Sequence, residues 1–248
     1  MNSTAIEKKL IQTLHSFPGR FNAYQVFFDW IRSMAYALSN TTDISPTHIE
    51  REEAYMKLVE KYGEEMNKFS ECYGLLVELF ELEMNDWLGN IFMKGEFNNK
   101  NLGQLFTPYH LSKMMAALNL DEELLMDQGK VKLYEPTVGA GGMVIAVADV
   151  MLTKGYNPQR QLEVYCTDLD ENALLMAYIQ LSILGLPAIC EARNALAIES
   201  NPYNSRWITP GYYLFRRPGD SKPDRENIKE QFKETESMTL EQLALDLF

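Results

Sequence analysis

The chain has 248 residues, of which 46% are hydrophobic, and a formal net charge of −12. This is core material for one large domain or two small ones, and no run of about 18 apolar residues is present to span a membrane. The acidic balance argues against a protein that grips DNA unaided through a basic face, and leaves room for docking onto a partner that holds the DNA.

Residues 1–100 read as a helical N-terminal domain. The opening MNSTAIEKKLIQTLHSF is amphipathic and charged throughout, unlike a signal peptide. Phe21 to Leu38 has apolar residues at three-to-four spacing. SPTHIEREEAYMKLVEKY opens with a Ser-Pro start signal and acidic residues in its first turn, then places Tyr55, Leu58, Val59 and Tyr62 on one face. CYGLLVELFELEMNDWLGNIFM, Cys72 to Met93, predicts a third long helix. Its aromatic and Met stripes speak of helix packing rather than of a function.

After the turn-rich FNNKN the character changes. Residues 101–215 alternate between strand and helix signals. VKLYEP (Val131 to Pro136) predicts a strand running into a Gly-rich turn, and MVIAVADVMLTKG a helix closing on Gly155. QLEVYCTD (Gln161 to Asp168) predicts a second strand. DENALLMAYIQLSILG follows as a helix capped by Asp170 and ended by Gly185, and AICEARNAL as a third strand. This order implies an α/β domain built on a parallel sheet with right-handed crossovers. RWITPGYYLFRR offers one further strand. Residues 216–248 read as a flexible, charged tail that turns apolar again in LEQLALDLF. Cys72, Cys166 and Cys190 are far apart, odd in number and in no C-x-x-C pair. They fit neither a zinc site nor a disulfide framework, and agree with a reducing cytoplasm.

Three places suggest a ligand. EPTVGAGGM follows a strand and opens a helix, where glycines let the backbone approach a ligand closely. It reads equally as a tight strand–helix turn, and it has neither the dinucleotide fingerprint nor the Gly-Lys-Ser/Thr phosphate loop. Asp168 stands at the carboxyl end of the second strand, at the crevice where open parallel sheets bind ligands, and an acid there accepts hydrogen bonds from ribose hydroxyls. Helix capping is the other role for such an acid, and Asp170 already fills it. Asn194, after the third strand, carries both donor and acceptor and suits the edge of an adenine ring or a plain turn.

DWLGNIFMKGEFNNKNLGQLFTPYHLSKMMAAL followed by EPTVGAGGM resembles the N6-adenine DNA methylases, the modification subunits of type I restriction systems and their relatives. Asp86-Trp87-Leu88-Gly89 is similar to that family's Asp-x-Leu-Gly. Gly103-Gln104-Leu105-Phe106-Thr107-Pro108 is similar to its Gly-Gln-aromatic-Phe-Thr-Pro, with Leu105 for the aromatic. Glu135 to Gly142 is similar to its Asp-Pro-x-x-Gly-x-Gly-Gly, with Glu for Asp. Order and spacing agree over roughly residues 20–200.

The resemblance implies a partial Rossmann-like, S-adenosylmethionine-dependent methyltransferase domain behind the helical one. It implies that Thr107 and Pro108 line the methionine side of the cofactor and that Glu135 faces its ammonium. Thr137, Gly139, Gly141 and Gly142 would form the loop beneath it. Asp168 would take the ribose, Leu169 would cover the adenine and Asn194 would read its edge.

The same resemblance frames Asn201-Pro202-Tyr203-Asn204. The family's Asn-Pro-Pro-aromatic tetrapeptide accepts the two hydrogens of the adenine amino group and stacks the flipped base. Here the second Pro is missing, Tyr203 comes one place early, and only ALAIES separates the stretch from the third strand. The 45 residues from Asn204 to Phe248 are few for the remaining strands and a target-recognition module. The stretch therefore reads as a turn, with a displaced site or one completed by another chain as alternatives. No catalytic residue is assigned.

The C-terminal Gln242-Leu243-x-Leu245-x-Leu247-Phe248 resembles the peptide by which bacterial replication and repair proteins bind the sliding clamp, and reads equally as a small helix packing on the body. Two functions follow. One is a cofactor-binding member of the family without autonomous methyl transfer. The other is an active DNA adenine-N6 methyltransferase, alone or completed by a partner subunit. DNA, a partner subunit or a second copy are the expected partners, no membrane is expected, and a phage or plasmid setting suits so compact a relative.

Overall fold

The computed structural model describes residues 2–43, 47–97, 106–120, 125–126, 129–196 and 206–215. The tetrapeptide at 201–204, the Gly103-Gln104-Leu105 part of the second signature, and the tail with its Gln242 to Phe248 peptide lie outside the described residues.

Helix α1 (Ser3–His15) starts where the Asn2 side chain accepts a hydrogen bond from Ala5 N at 2.9 Å. Helix α2 (Ala23–Asn40) starts likewise, with Asn22 accepting from Gln25 N at 2.9 Å. Each Asn satisfies one of the amide donors that a helix start leaves open. Ile6, Leu10 and Leu14 recur on one face of α1 and are buried, as are Val26, Phe27, Trp30 and Ile31 of α2. Helices α3 (Thr47–Tyr62) and α4 (Met66–Leu82) complete the helical layer. Phe17, Tyr62 and Phe69 meet with ring centroids 4.8 to 5.7 Å apart. Buried Asp29 beside them accepts from Tyr62 OH at 2.9 Å and from Lys61 Nζ.

The single helix predicted from Cys72 to Met93 is broken. Helix α4 ends at Leu82, and α5 (Trp87–Lys94) begins afresh behind Asp86. The Asp86 carboxylate accepts from Gly89 N at 2.9 Å, and Asn85 Oδ1 accepts from Asp86 N at 2.9 Å. Short polar side chains compete with helix hydrogen bonds in this way, and two in succession outweigh the apolar pattern around them.

Helix α6 (Tyr109–Asn119) leads into the sheet region. The elements then run β1 (Val131–Glu135), α7 (Gly142–Thr153), α8 (Pro158–Gln161), β2 (Leu162–Asp168), α9 (Glu171–Ile183), β3 (Ala188–Ala192), β4 (Arg206–Ile208) and α10 (Pro210–Phe215). The sheet order is β1-β2-β3-β4. β1, β2 and β3 are parallel, with Leu133 opposite Val164 and Cys166 opposite Cys190. The further strand that RWITPGYYLFRR offered is β4, three residues long and antiparallel to β3, so the parallel unit ends in a mixed edge. The molecule is thus mostly helical with a small mixed sheet, an α/β architecture of partial Rossmann-like form.

Helix α9 joins the two parts. Every residue from Ala173 to Leu181 is buried, because α9 packs on β2 and β3 from one side and meets α2 and α5 from the other. A helix covered all round needs no polar face, which explains its even apolar run. One continuous core therefore extends from Ile6 to Trp207, and residues 1–215 form one compact unit.

Strand β4 is fastened to the helical layer by Arg51 of α3. Its guanidinium donates to Arg206 O at 2.7 Å, to Asp43 at 2.9 Å and to Ser39 Oγ at 2.6 Å. It also lies 3.8 Å from the centroid of the Trp207 ring. Among the described residues, no helix is long and apolar enough to cross a membrane, and no cluster of His, Cys, Asp or Glu suits a metal ion.

Candidate functional site

The site forms where β1 ends. The chain turns through Pro136 to Gly141 before α7 starts, and the end of β2 holds this turn in place. Val138 N donates to Thr167 O at 2.9 Å, and Thr167 Oγ1 donates to Pro136 O at 2.8 Å. Gly139 N donates to Asp168 Oδ2 at 2.8 Å. Gly139 and Gly141 have φ of +55° and +99°, a region that side chains with a Cβ rarely enter. A Cβ on Gly141 would also lie 3.3 Å from the backbone of Ala177 on α9. The glycines of the signature are therefore required by the turn itself.

Below the turn lies a buried network that sequence reasoning did not find. Gln180 of α9 is fully buried. Its amide nitrogen donates to Ala140 O at 2.7 Å and to Asp86 Oδ1 at 2.8 Å. Its oxygen accepts from Leu88 N at 3.0 Å. One side chain thus ties the Asp86-Trp87-Leu88-Gly89 turn to the glycine turn, over 40 residues apart in the chain. The available signal was Gln180 itself, one amide inside the apolar run ALLMAYIQLSILG. Asp86 is 4% exposed. Burial pushes its carboxyl up from the ordinary range, while the donors Gln180 and Gly89 pull it back.

Asp86, Phe106, Thr107, Glu135, Thr137, Gly139 and Gly142 share one cavity of about 170 Å³ with Ser112, Val138, Ala140 and Met143. Among the described residues, two carboxylates and no Lys, Arg or His stand in this lining. Phe106 is half-buried and packs on Phe92, with ring centroids 5.7 Å apart. A Cβ on Gly139 would lie 3.3 Å from the Phe106 ring, so the Phe of the second signature closes directly on the glycine turn. Glu135 accepts from Thr137 N at 3.2 Å.

The structure brings Thr107, Glu135, Thr137, Gly139 and Gly142 together in that lining. Pro108 is exposed just before α6, and Gly141 is buried against α9. Asp168 is engaged by the protein: Oδ2 accepts from Gly139 N and Oδ1 accepts from Asp170 N at 2.9 Å. Asp170 caps α9 as expected, accepting from Asn172 N at 2.9 Å. Leu169 is 78% exposed beside them. Asn194 is exposed and accepts from Leu196 N at 3.0 Å, the geometry of a turn Asn.

Residues 83–200 match the model of the family described as N-6 DNA Methylase. That match falls on the segment that carries the three signatures and agrees with the resemblance they carry. No curated protein matches the chain. Among solved structures, a protein described as a class I S-adenosylmethionine-dependent methyltransferase from Listeria monocytogenes is similar at 13% identity and a TM-score of 0.45, over 80% of this chain and 56% of that one. The type I restriction-modification system methyltransferase subunit from Streptococcus thermophilus is similar at 12% identity and a TM-score of 0.39, over 82% of this chain and 61% of that one. The chain thus spans about three-fifths of the length of each.

Proposed function

We propose that the chain binds S-adenosylmethionine in this crevice, as the cofactor-binding part of a DNA adenine-N6 methylation system, and that the isolated chain does not transfer the methyl group. The observation that carries the first half is the cavity at the end of β1: it is walled by the glycine turn and, among the described residues, lined by two carboxylates without a cation. Such a lining suits a ligand that is itself cationic, and opposes the phosphates of a nucleotide cofactor.

The residues fit the cofactor. About 170 Å³ is less than the ~300–1,000 Å³ of a full ligand pocket, so the cavity takes the amino-acid end. Thr107 and Glu135 stand there. The adenosine end then lies along the open rim. Asp168 keeps lone pairs for the ribose hydroxyls beyond the two amides that it already accepts. Leu169 offers an exposed apolar face to the adenine, and Asn194 stands at its edge. Bound there, the cofactor supplies a methyl group activated by a sulfonium. In this reading residues 1–100 are the helical support, 101–215 the cofactor-binding domain and 216–248 a tail.

The second half rests on the sequence. No Asn-Pro-Pro or Asp-Pro-Pro occurs in the 248 residues, and Asn201-Pro202-Tyr203 sets its aromatic one place early. Calorimetry with S-adenosylmethionine, alongside methyl transfer to adenine-containing DNA, tests both halves. Binding without transfer is the expected result. Transfer by the isolated chain, lost in Asn201→Ala, overturns the second half, and no binding overturns the first. Transfer only after mixing with a partner subunit would assign the alternative, an enzyme completed by another chain.

A further inference from the structure

We infer that Asp86 is a second carboxylate for the ligand's ammonium group, reaching it from beneath the glycine turn. The inference rests on the cofactor reading above and adds a binding residue that the three signatures do not assign.

Asp86 does two things with its two oxygens. Oδ1 accepts from Gly89 N at 2.9 Å and from Gln180 Nε2 at 2.8 Å, which caps α5 and ties it to α9. Oδ2 has no hydrogen-bond partner among the described residues, although the side chain is 4% exposed. This second oxygen faces the ligand space. Asp86 lines the cavity, and a Cβ on Gly142 would lie 3.1 Å from Oδ2 and one on Gly89 closer still, so the absent side chains of both glycines leave the oxygen uncovered.

A carboxylate oxygen that opens into a cavity with no donor among the described residues is served best by a cation with N–H donors. No Lys, Arg or His among the described lining residues supplies one. The sulfonium of the cofactor has no hydrogen to donate. Its ammonium has three, enough to serve Glu135 at the rim and Asp86 below it. The Asp86-Trp87-Leu88-Gly89 turn therefore has a direct task. It breaks the long helix so that an acid caps α5 with one oxygen and meets the ligand with the other.

Asp86→Asn tests this with little disturbance. Asn is as good a helix cap as Asp. Its oxygen keeps the bonds from Gly89 and Gln180, and an uncharged NH₂ replaces Oδ2. Calorimetry would compare S-adenosylmethionine, S-adenosylhomocysteine and 5′-methylthioadenosine, which has no amino-acid end. Affinity for the first two is expected to fall roughly ten- to hundredfold in the variant, the range of one charge-assisted hydrogen bond, with 5′-methylthioadenosine unchanged. Equal loss for all three ligands would make Asp86 a structural cap only and overturn the inference, as would unchanged binding of all three. If the unaltered chain binds none of them, the cofactor reading itself fails and takes this inference with it. Should the variant not fold, a crystal structure of the unaltered chain with S-adenosylhomocysteine decides. The ammonium nitrogen within about 3.2 Å of Asp86 Oδ2 supports the inference, and the ammonium turned away from it refutes it.

Discussion

Gln180 is the most consequential side chain of the site's support, and replacing it gives a defined loss. Gln180→Leu keeps the approximate volume and removes every polar contact. Leu88 N–H and Ala140 C=O, now bonded at 3.0 and 2.7 Å, would be buried without a partner. Asp86 would lose the 2.8 Å donor that helps hold its charge. At ~1–3 kcal/mol for each buried group left unsatisfied, the expected destabilisation is roughly 3–6 kcal/mol. That is a large share of the ~5–15 kcal/mol that holds a typical domain together. Urea unfolding followed by the fluorescence of buried Trp30, Trp87 and Trp207 reads it directly. Gln180→Glu should be at least as damaging, because it sets a second carboxylate against Asp86. A loss below about 1 kcal/mol for Gln180→Leu, with an unchanged dependence on urea, would refute the idea that this amide joins the two turns.

Asp86→Asn is expected to be more stable than the unaltered chain near neutral pH, at the expense of binding. The Asp86 carboxyl is raised in the fold above its ordinary 3.8. Its stabilising contribution is therefore fullest below that value and is lost as pH rises through the folded pKa. The difference in melting temperature between variant and unaltered chain should open as pH rises from about 4 and then level off; a difference independent of pH would contradict the assignment. Arg51→Lys keeps the charge but loses the fork that holds Arg206 O, Asp43 and the Trp207 ring. A loss of about 2–4 kcal/mol is expected, with the amides of Arg206 to Ile208 exchanging hydrogen faster, and unchanged exchange there would count against the fastening role. Gly141→Ala, at φ +99° and against Ala177, should cost about 1–3 kcal/mol in urea unfolding, and a neutral result would show that the turn relaxes freely. Cys72, Cys166 and Cys190 are fully buried, and burial pushes the Cys72 thiol up to about 12. All three should react with a thiol reagent only on unfolding, and rapid labelling of the folded chain would disprove it.

Much of this architecture was legible in the residues. Asp170 before α9, Gly185 after it and Gly155 after α7 marked helix ends by local chemistry, which acts within a few residues and is carried by them alone. The glycines of the first strand–helix turn were legible for the same reason. Asn85-Asp86 carried an equally local signal, but it was outvoted by the apolar periodicity on both sides, so one helix was expected where two occur.

The remaining features depend on what residues far apart in the chain do to one another. Antiparallel β4 is held by Arg51, 155 residues earlier, which donates to its backbone at Arg206 O and lies over its Trp207 ring. Asp168 looked free at the end of its strand, and only the fold shows both of its oxygens taken by Gly139 N and Asp170 N. By itself the sequence determined the signatures that match a family model over residues 83–200, the parallel core of the sheet and the glycine turn, since these depend on short-range stereochemistry and on order along the chain. The tertiary structure alone decided that Gln180 joins two distant turns and that Asp86 lines a cavity with no Lys, Arg or His among its described residues. Burial and hydrogen-bond partnership come into being only when separate segments meet.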